Sequence, residues 1–106
     1  MLAAPAAAAA AIVLVHGTVL LGPTSPVCRV GTPCTKPAAH ALLEFTQTNR
    51  IRTAWTDAKG HYTVRLEPGT WAVSSNAGLG VTPKRFIVRR GVRTQQRNLL
   101  VDTGIR

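Results

Sequence analysis

The chain has 106 residues, 45% of them hydrophobic, 16% charged and only 5% aromatic, and 13 Lys and Arg face 4 Asp and Glu for a formal net charge of +9. This length suits one domain and leaves no room for a second core. The low charge content and the many β-formers exclude a disordered chain, two cysteines exclude a disulfide-dense scaffold or a four-cysteine zinc centre, and no apolar run reaches the ~20 residues of a membrane helix.

Residues 1–11 carry no charged side chain and include eight alanines. The apolar stretch from Ala6 to Val15 has the length of a signal-peptide core, and Ala9-Ala10-Ala11 offers small residues suited to signal peptidase. No Lys or Arg precedes it, so it reads as the end of an export signal whose basic start is cut away. Alanine also favours helix, and an alanine helix or a disordered tail is the alternative reading. Residues 1–11 are therefore set apart as a leader, and 12–106 form the domain.

From Ile12 onward short strands alternate with turn signals, and little recurs at helical spacing. Ile12 to Leu21 is an apolar strand ending at Gly22-Pro23. Thr24 to Ala39 is a loop whose prolines (Pro26, Pro33, Pro37) forbid a regular ladder. Ala41 to Thr46 is a strand with Ala41, Leu43 and Phe45 on one face and Glu44 on the other. Arg50 to Thr56 alternates Arg50, Arg52 and Ala54, an outer face, against Ile51, Thr53 and Trp55. Asp57 to Gly60 makes a tight hairpin connection, with Asp57 bonding its own backbone and Gly60 accepting positive φ. His61 to Leu66 turns Tyr62, Val64 and Leu66 inward. Pro68 and Gly69 make the next turn, and Thr70 to Ser74 turns Trp71 and Val73 inward. Val81 to Arg90 is a strand with Pro83 near its start, which predicts an edge or a bulge. Gly91 turns the chain into a last strand, Val92 to Asp102. There Arg93 and Arg97 share parity with Leu99 and Val101, which predicts a bulge or a late start to pairing. About seven strands at such spacing, with no helix beyond the leader, predict an all-β sandwich.

Thr56-Asp57-Ala58-Lys59-Gly60-His61-Tyr62, followed by Leu66-Glu67-Pro68-Gly69-Thr70-Trp71, resembles the core motif of carboxypeptidase regulatory-like domains. Glu67 stands where the family has its first proline, and Trp71 where it has tyrosine. The cysteine loop from Pro26 to Cys34 and the ending Asp102-Thr103-Gly104-Ile105-Arg106 resemble small exported actinobacterial proteins that bear this domain. The resemblance covers residues 13–106. It implies a seven-stranded, Greek-key, transthyretin-like sandwich and a non-catalytic accessory module, and it supplies no catalytic residues.

In an exported chain Cys28 and Cys34, separated by five residues in a Pro/Gly loop, are expected to form a local disulfide that pins this loop. A redox pair would call for C-x-x-C at a helix N-terminus. His16, His40 and His61 lack metal-ligand spacing, and neither a metal nor a cofactor is expected. Glu44, Asp57, Glu67 and Asp102 are the only carboxylates. Asp57 and Glu67 serve turns, and nothing in the pattern brings two acids to one cleft. A triad through Asp102, or an isopeptide bond between Lys36 and Asn98 beside Glu44, is disfavoured. The chain is read as no enzyme. Trp71 is read as core, and so is Trp55, with carbohydrate stacking as the alternative.

Lys84, Arg85, Arg89, Arg90, Arg93 and Arg97 fall in one stretch without an acid. Straddling a hairpin, alternate ones would share a face, and Arg50 and Arg52 would extend it. Such a patch attracts polyanions: wall polymers, acidic lipid headgroups or nucleic acid. Arginines on a solvated strand also merely discourage edge pairing. Sequence-specific nucleic-acid reading is not expected, since Phe86 is the only nearby aromatic and its parity assigns it to the core. The expectation is a monomeric, secreted or cell-envelope module, non-catalytic, with an anionic envelope polymer or a protein as partner. The alternative is a polyanion-binding protein acting through the basic hairpin.

Overall fold

The computed structural model describes residues 12–28, 31 and 33–105. The leader at 1–11, part of the cysteine loop and Arg106 lie outside them.

The described residues form ten strands and no helix. These are β1 (Val13–Gly22), β2 (Lys36–Pro37), β3 (Leu42–Gln47), β4 (Arg50–Trp55), β5 (His61–Leu66), β6 (Gly69–Ser75), β7 (Gly80–Thr82), β8 (Arg85–Val88), β9 (Thr94–Gln96) and β10 (Leu99–Asp102). They make two sheets. In sheet I the long β1 is flanked along its first half by β5 and β9 and along its second half by β2 and β10, with β7 beyond β10. Sheet II has the order β4-β3-β6-β8.

Alternation fixes which side chains meet between the sheets. Val13, Val15, Val19, Tyr62, Val64, Leu66, Leu99 and Val101 come from sheet I, and Leu43, Phe45, Trp71, Val73, Phe86 and Val88 from sheet II; all are buried. The Phe45 ring stacks on Tyr62 of the facing sheet at 5.9 Å and meets Phe86 edge-on at 6.2 Å. Centroid spacings of this kind are the favoured aromatic geometry.

The expected seven strands become ten for three local reasons. The proline loop does contribute a ladder after all: Lys36 and Pro37 pair with Leu21 and Leu20. Two residues at a sheet edge are a position that proline tolerates. The stretch expected as one strand from Val81 to Arg90 changes sheets at Pro83, since β7 pairs β10 in sheet I and β8 pairs β6 in sheet II. The last expected strand divides into β9 and β10. Both run parallel to β1 with the same register offset (His16 opposite Gln96, Val19 opposite Leu99), so no residue is inserted and the expected bulge is absent. Pairing instead starts late, at Thr94, and is interrupted at Arg97-Asn98, where Asn98 Oδ1 accepts the Thr18 N–H in place of a backbone carbonyl.

The Asp57–Gly60 turn is not a hairpin. Asp57 Oδ1 accepts the N–H groups of Lys59 and His61 at 2.8 and 2.9 Å, and Gly60 sits at φ 81°. The turn chemistry is as expected, but β4 pairs β3 while β5 pairs β1. The turn is therefore an arch from one sheet to the other. Glu67-Pro68 makes the return crossing, and Gly69 takes a positive φ of 129°.

The face reading of β4 is inverted. Ala54 and Arg52 lie opposite Leu43 and Phe45, which point inward, so Ile51, Thr53 and Trp55 face solvent. Trp55 is 63% exposed and is not core, whereas Trp71 is fully buried.

Candidate anion-binding surface

The chain passes from β8 in sheet II to β9 in sheet I through Arg89–Arg93. This segment is a crossing and not the expected hairpin, because β8 and β9 have different partners. Its two ends are tied by one side chain. Gln95 accepts the Arg89 N–H and donates to the Ile87 carbonyl, both at 2.8 Å. The amide thus pairs with the open edge of β8 as a neighbouring strand would, and it holds the sheets together here.

Arg97, between β9 and β10, keeps the inward parity of Gln95 and Leu99. Its guanidinium carbon lies 5.5 Å from the centre of the Phe86 ring, a cation–π distance. Its backbone is held twice: the N–H donates to the His16 carbonyl at 2.8 Å, and its carbonyl accepts the Tyr62 hydroxyl at 2.6 Å. Gly17 makes this approach feasible, since a Cβ there would collide with the Arg97 carbonyl. Burial pushes the Tyr62 phenol well above its ordinary range, against the opposing pull of Arg97. The phenol therefore stays protonated and acts as a fixed donor.

The six basic residues do not all line one cavity. Arg89 and Arg97 line a single concavity of about 380 Å³ with Val92, Thr94, Gln95 and Gln96. Arg90 and Arg93 are exposed in the crossing beside it. Lys84 and Arg85 sit at the far end of β8, roughly 13 Å from Arg89 along an extended strand. Arg50 and Arg52 do not join them. They belong to β4, at the opposite edge of sheet II. They also pair with Glu67, whose Oε2 lies 2.9 Å from Arg52 and 3.7 Å from Arg50. Gln95 and Gln96 escaped the sequence reading, which weighed only charge. The signal was there: Gln95 shares the inward parity of Arg97 and Leu99.

Among the described residues, no carboxylate lies within ion-pair distance of Lys84, Arg85, Arg89, Arg90, Arg93 or Arg97. The acids are engaged elsewhere: Glu67 with the β4 arginines, Asp57 in its turn, Asp102 on the Gly104 N–H. Glu44 is on the solvent face of β3. Positive charge at the crossing is thus left without a counter-charge from the described residues.

The remaining polar constellations stay apart. His61 Nδ1 is 3.7 Å from Asp57 Oδ2, beyond a hydrogen bond. Among the described residues no histidine side chain bonds a hydroxyl, and no three His, Cys, Asp or Glu side chains gather as metal ligands. Asn98 bonds the Thr18 N–H in sheet I while Glu44 faces outward from sheet II, so the isopeptide trio is not assembled. Cys28 and Cys34 are a disulfide pair with Cα atoms 5.5 Å apart. Such a pair persists in an oxidising compartment. Among the described residues no helix is long and apolar enough to cross a membrane.

The Glu67 cluster gives a pH signature. Its partial burial opposes ionisation, but its own backbone N–H and the guanidiniums of Arg52 and Arg50 outweigh this and hold the carboxyl below its ordinary 4.5. A carboxyl depressed in the folded state stabilises it above the unfolded pKa, and this contribution is lost as pH falls through the folded value. Urea midpoints measured between about pH 6 and about pH 2.5 should fall on acidification, and less so in Glu67→Gln. An acid limb identical in the two proteins would contradict the assignment.

No family model matches the chain, and no curated protein or solved structure matches it either.

Proposed function

We propose that the chain is an exported, non-catalytic module of the cell envelope, a carboxypeptidase regulatory-like, transthyretin-like sandwich, that binds an anionic polymer through the crossing between β8 and β9. One observation carries the reading: among the described residues, no cation of the protein's densest basic run meets a carboxylate. The two-sheet all-β architecture and the cysteine pair support the sandwich and export parts of it. Arg90 and Arg93 are exposed on the crossing beside the concavity that Arg89 and Arg97 line, which favours contact with a repeating backbone over enclosure of a small substrate. Among the described residues nothing beside them supplies the exposed aromatic platforms on which single-stranded bases stack, and Phe86 is buried.

Fluorescence anisotropy with labelled poly(glycerol phosphate) tests the reading. If Arg89, Arg90, Arg93 and Arg97 each neutralise one phosphate, a fourfold rise in salt should weaken binding about 50- to 150-fold. Reversing Arg89, Arg90 and Arg93 to Glu should abolish it. Affinity that survives either change would refute electrostatic binding at this site.

A further inference from the structure

We propose that the concavity lined by Arg89, Thr94, Gln96 and Arg97 is a discrete subsite for one oxyanion group, a phosphate, sulfate or carboxylate, with Arg97 as its principal donor. The proposal rests on the polyanion reading above and specifies where one anionic group of the polymer would seat.

Two buried side-chain polar atoms lack a hydrogen-bond partner among the described residues: Glu67 Oε1 and Arg97 Nε. They differ in kind. The Glu67 carboxylate is already neutralised by two guanidiniums. Among the described residues Arg97 has no carboxylate at ion-pair distance, so its charge has no counter-charge there and its buried Nε–H no acceptor. Buried donors are almost always satisfied by protein or ordered water, so an exception calls for an explanation. Nε itself has almost no exposed surface, so an anion in the concavity would meet the rest of this half-buried side chain. Arg97 lines the concavity of about 380 Å³.

The surroundings are built for rigidity. Phe86 supports the guanidinium, and the Tyr62 hydroxyl and His16 carbonyl hold the backbone. Gln95 has both amide atoms committed to β8, which fixes the Arg89 backbone beside the cavity. Thr94 and Gln96, on β9 just before Arg97, line the same concavity with polar side chains. A planar fork with fixed orientation suits two oxygens of one oxyanion, and a lysine ammonium does not reproduce it. Lys84, just before β8, and Arg85, at its start, are exposed and have no such support among the described residues.

The test follows the Arg97 Nε–Hε resonance of the wild-type protein during titration with inorganic phosphate, with chloride at equal ionic strength as the control. The expected result is a saturable shift with phosphate and none with chloride. Arg97→Lys should weaken phosphate binding at least tenfold with unchanged far-ultraviolet dichroism, and Arg85→Ala should leave it as it was. Equal shifts with chloride, or full affinity in Arg97→Lys, would overturn the subsite. Poly(glycerol phosphate) separates the two readings. Polymer binding without a phosphate response keeps diffuse attraction and removes the subsite; a phosphate response without polymer binding keeps the subsite and removes the envelope-polymer function.

Discussion

Trp71→Ala is expected to destabilise the protein by about 3–5 kcal/mol, the range for deleting a large aromatic from a core. The indole is completely buried in β6, opposite Phe86 of β8. It also donates its Nε1–H to the Glu67 carbonyl at 2.7 Å, across the return crossing from sheet I to sheet II. The truncation therefore opens a cavity and strands the carbonyl at the corner that carries the Arg52–Glu67 pair. Trp71→Phe keeps most of the apolar surface and should cost only about 1–2 kcal/mol beyond its smaller area. Trp55→Ala is the control, since that side chain is on the solvent face of β4, and a change within about 0.5 kcal/mol is expected. Urea titration followed by circular dichroism measures all three. Equal losses for Trp71→Ala and Trp55→Ala would contradict the assignment of faces in sheet II.

Thr56→Val should cost about 2–4 kcal/mol, because two buried backbone groups lose their partner and each is worth about 1–3 kcal/mol when left unmade. Thr56 is 3% exposed. Its hydroxyl accepts the Ala41 N–H at 2.7 Å and donates to the Ala38 carbonyl. Ala38 closes the proline loop and Ala41 leads into β3, so one hydroxyl fastens the loop to the core of sheet II. Valine has the same shape and no hydroxyl, which isolates the hydrogen bonds from packing. Thr56→Ser retains them and should lose only about 1 kcal/mol for the missing methyl. Thermal melts of the pair decide the matter: valine and serine variants of equal stability would show that the hydroxyl contributes nothing.

Much of the core was legible in the sequence because strand alternation is a local property. Tyr62, Val64, Leu66, Trp71, Val73, Leu43 and Phe45 all point where their parity places them. The face of β4 was not legible from its own residues. Ile51 and Trp55 outweigh Ala54 in hydrophobicity, yet pairing with β3 sets the parity, and Leu43 and Phe45 across the ladder point inward. Arg52 can occupy the inward row because its head reaches Glu67 at the sheet edge, and an arginine stem tolerates apolar surroundings when its charged head is satisfied. The two misread hairpins share a cause. A turn signal shows that the chain reverses, but only the distant partners β3, β1 and β6 decide whether the next strand joins the same sheet.

The candidate site shows the same division. Sequence alone marked the acid-free run from Lys84 to Arg97. It did not show that the run spans two sheets, that Arg97 is seated on Phe86, or that the β4 arginines are neutralised at the opposite edge. Those follow from long-range pairing. They reduce a broad basic stretch to a crossing with one structured concavity.

Amide chemical-shift mapping of the isotopically labelled protein, titrated with poly(glycerol phosphate) at low salt, tests binding through the crossing most directly. The predicted result is saturable perturbation confined to residues 84–97, largest from Arg89 to Arg97, and reversed by added salt. Perturbations centred on Ile51 and Trp55 of β4, or none at saturating polymer, would contradict it.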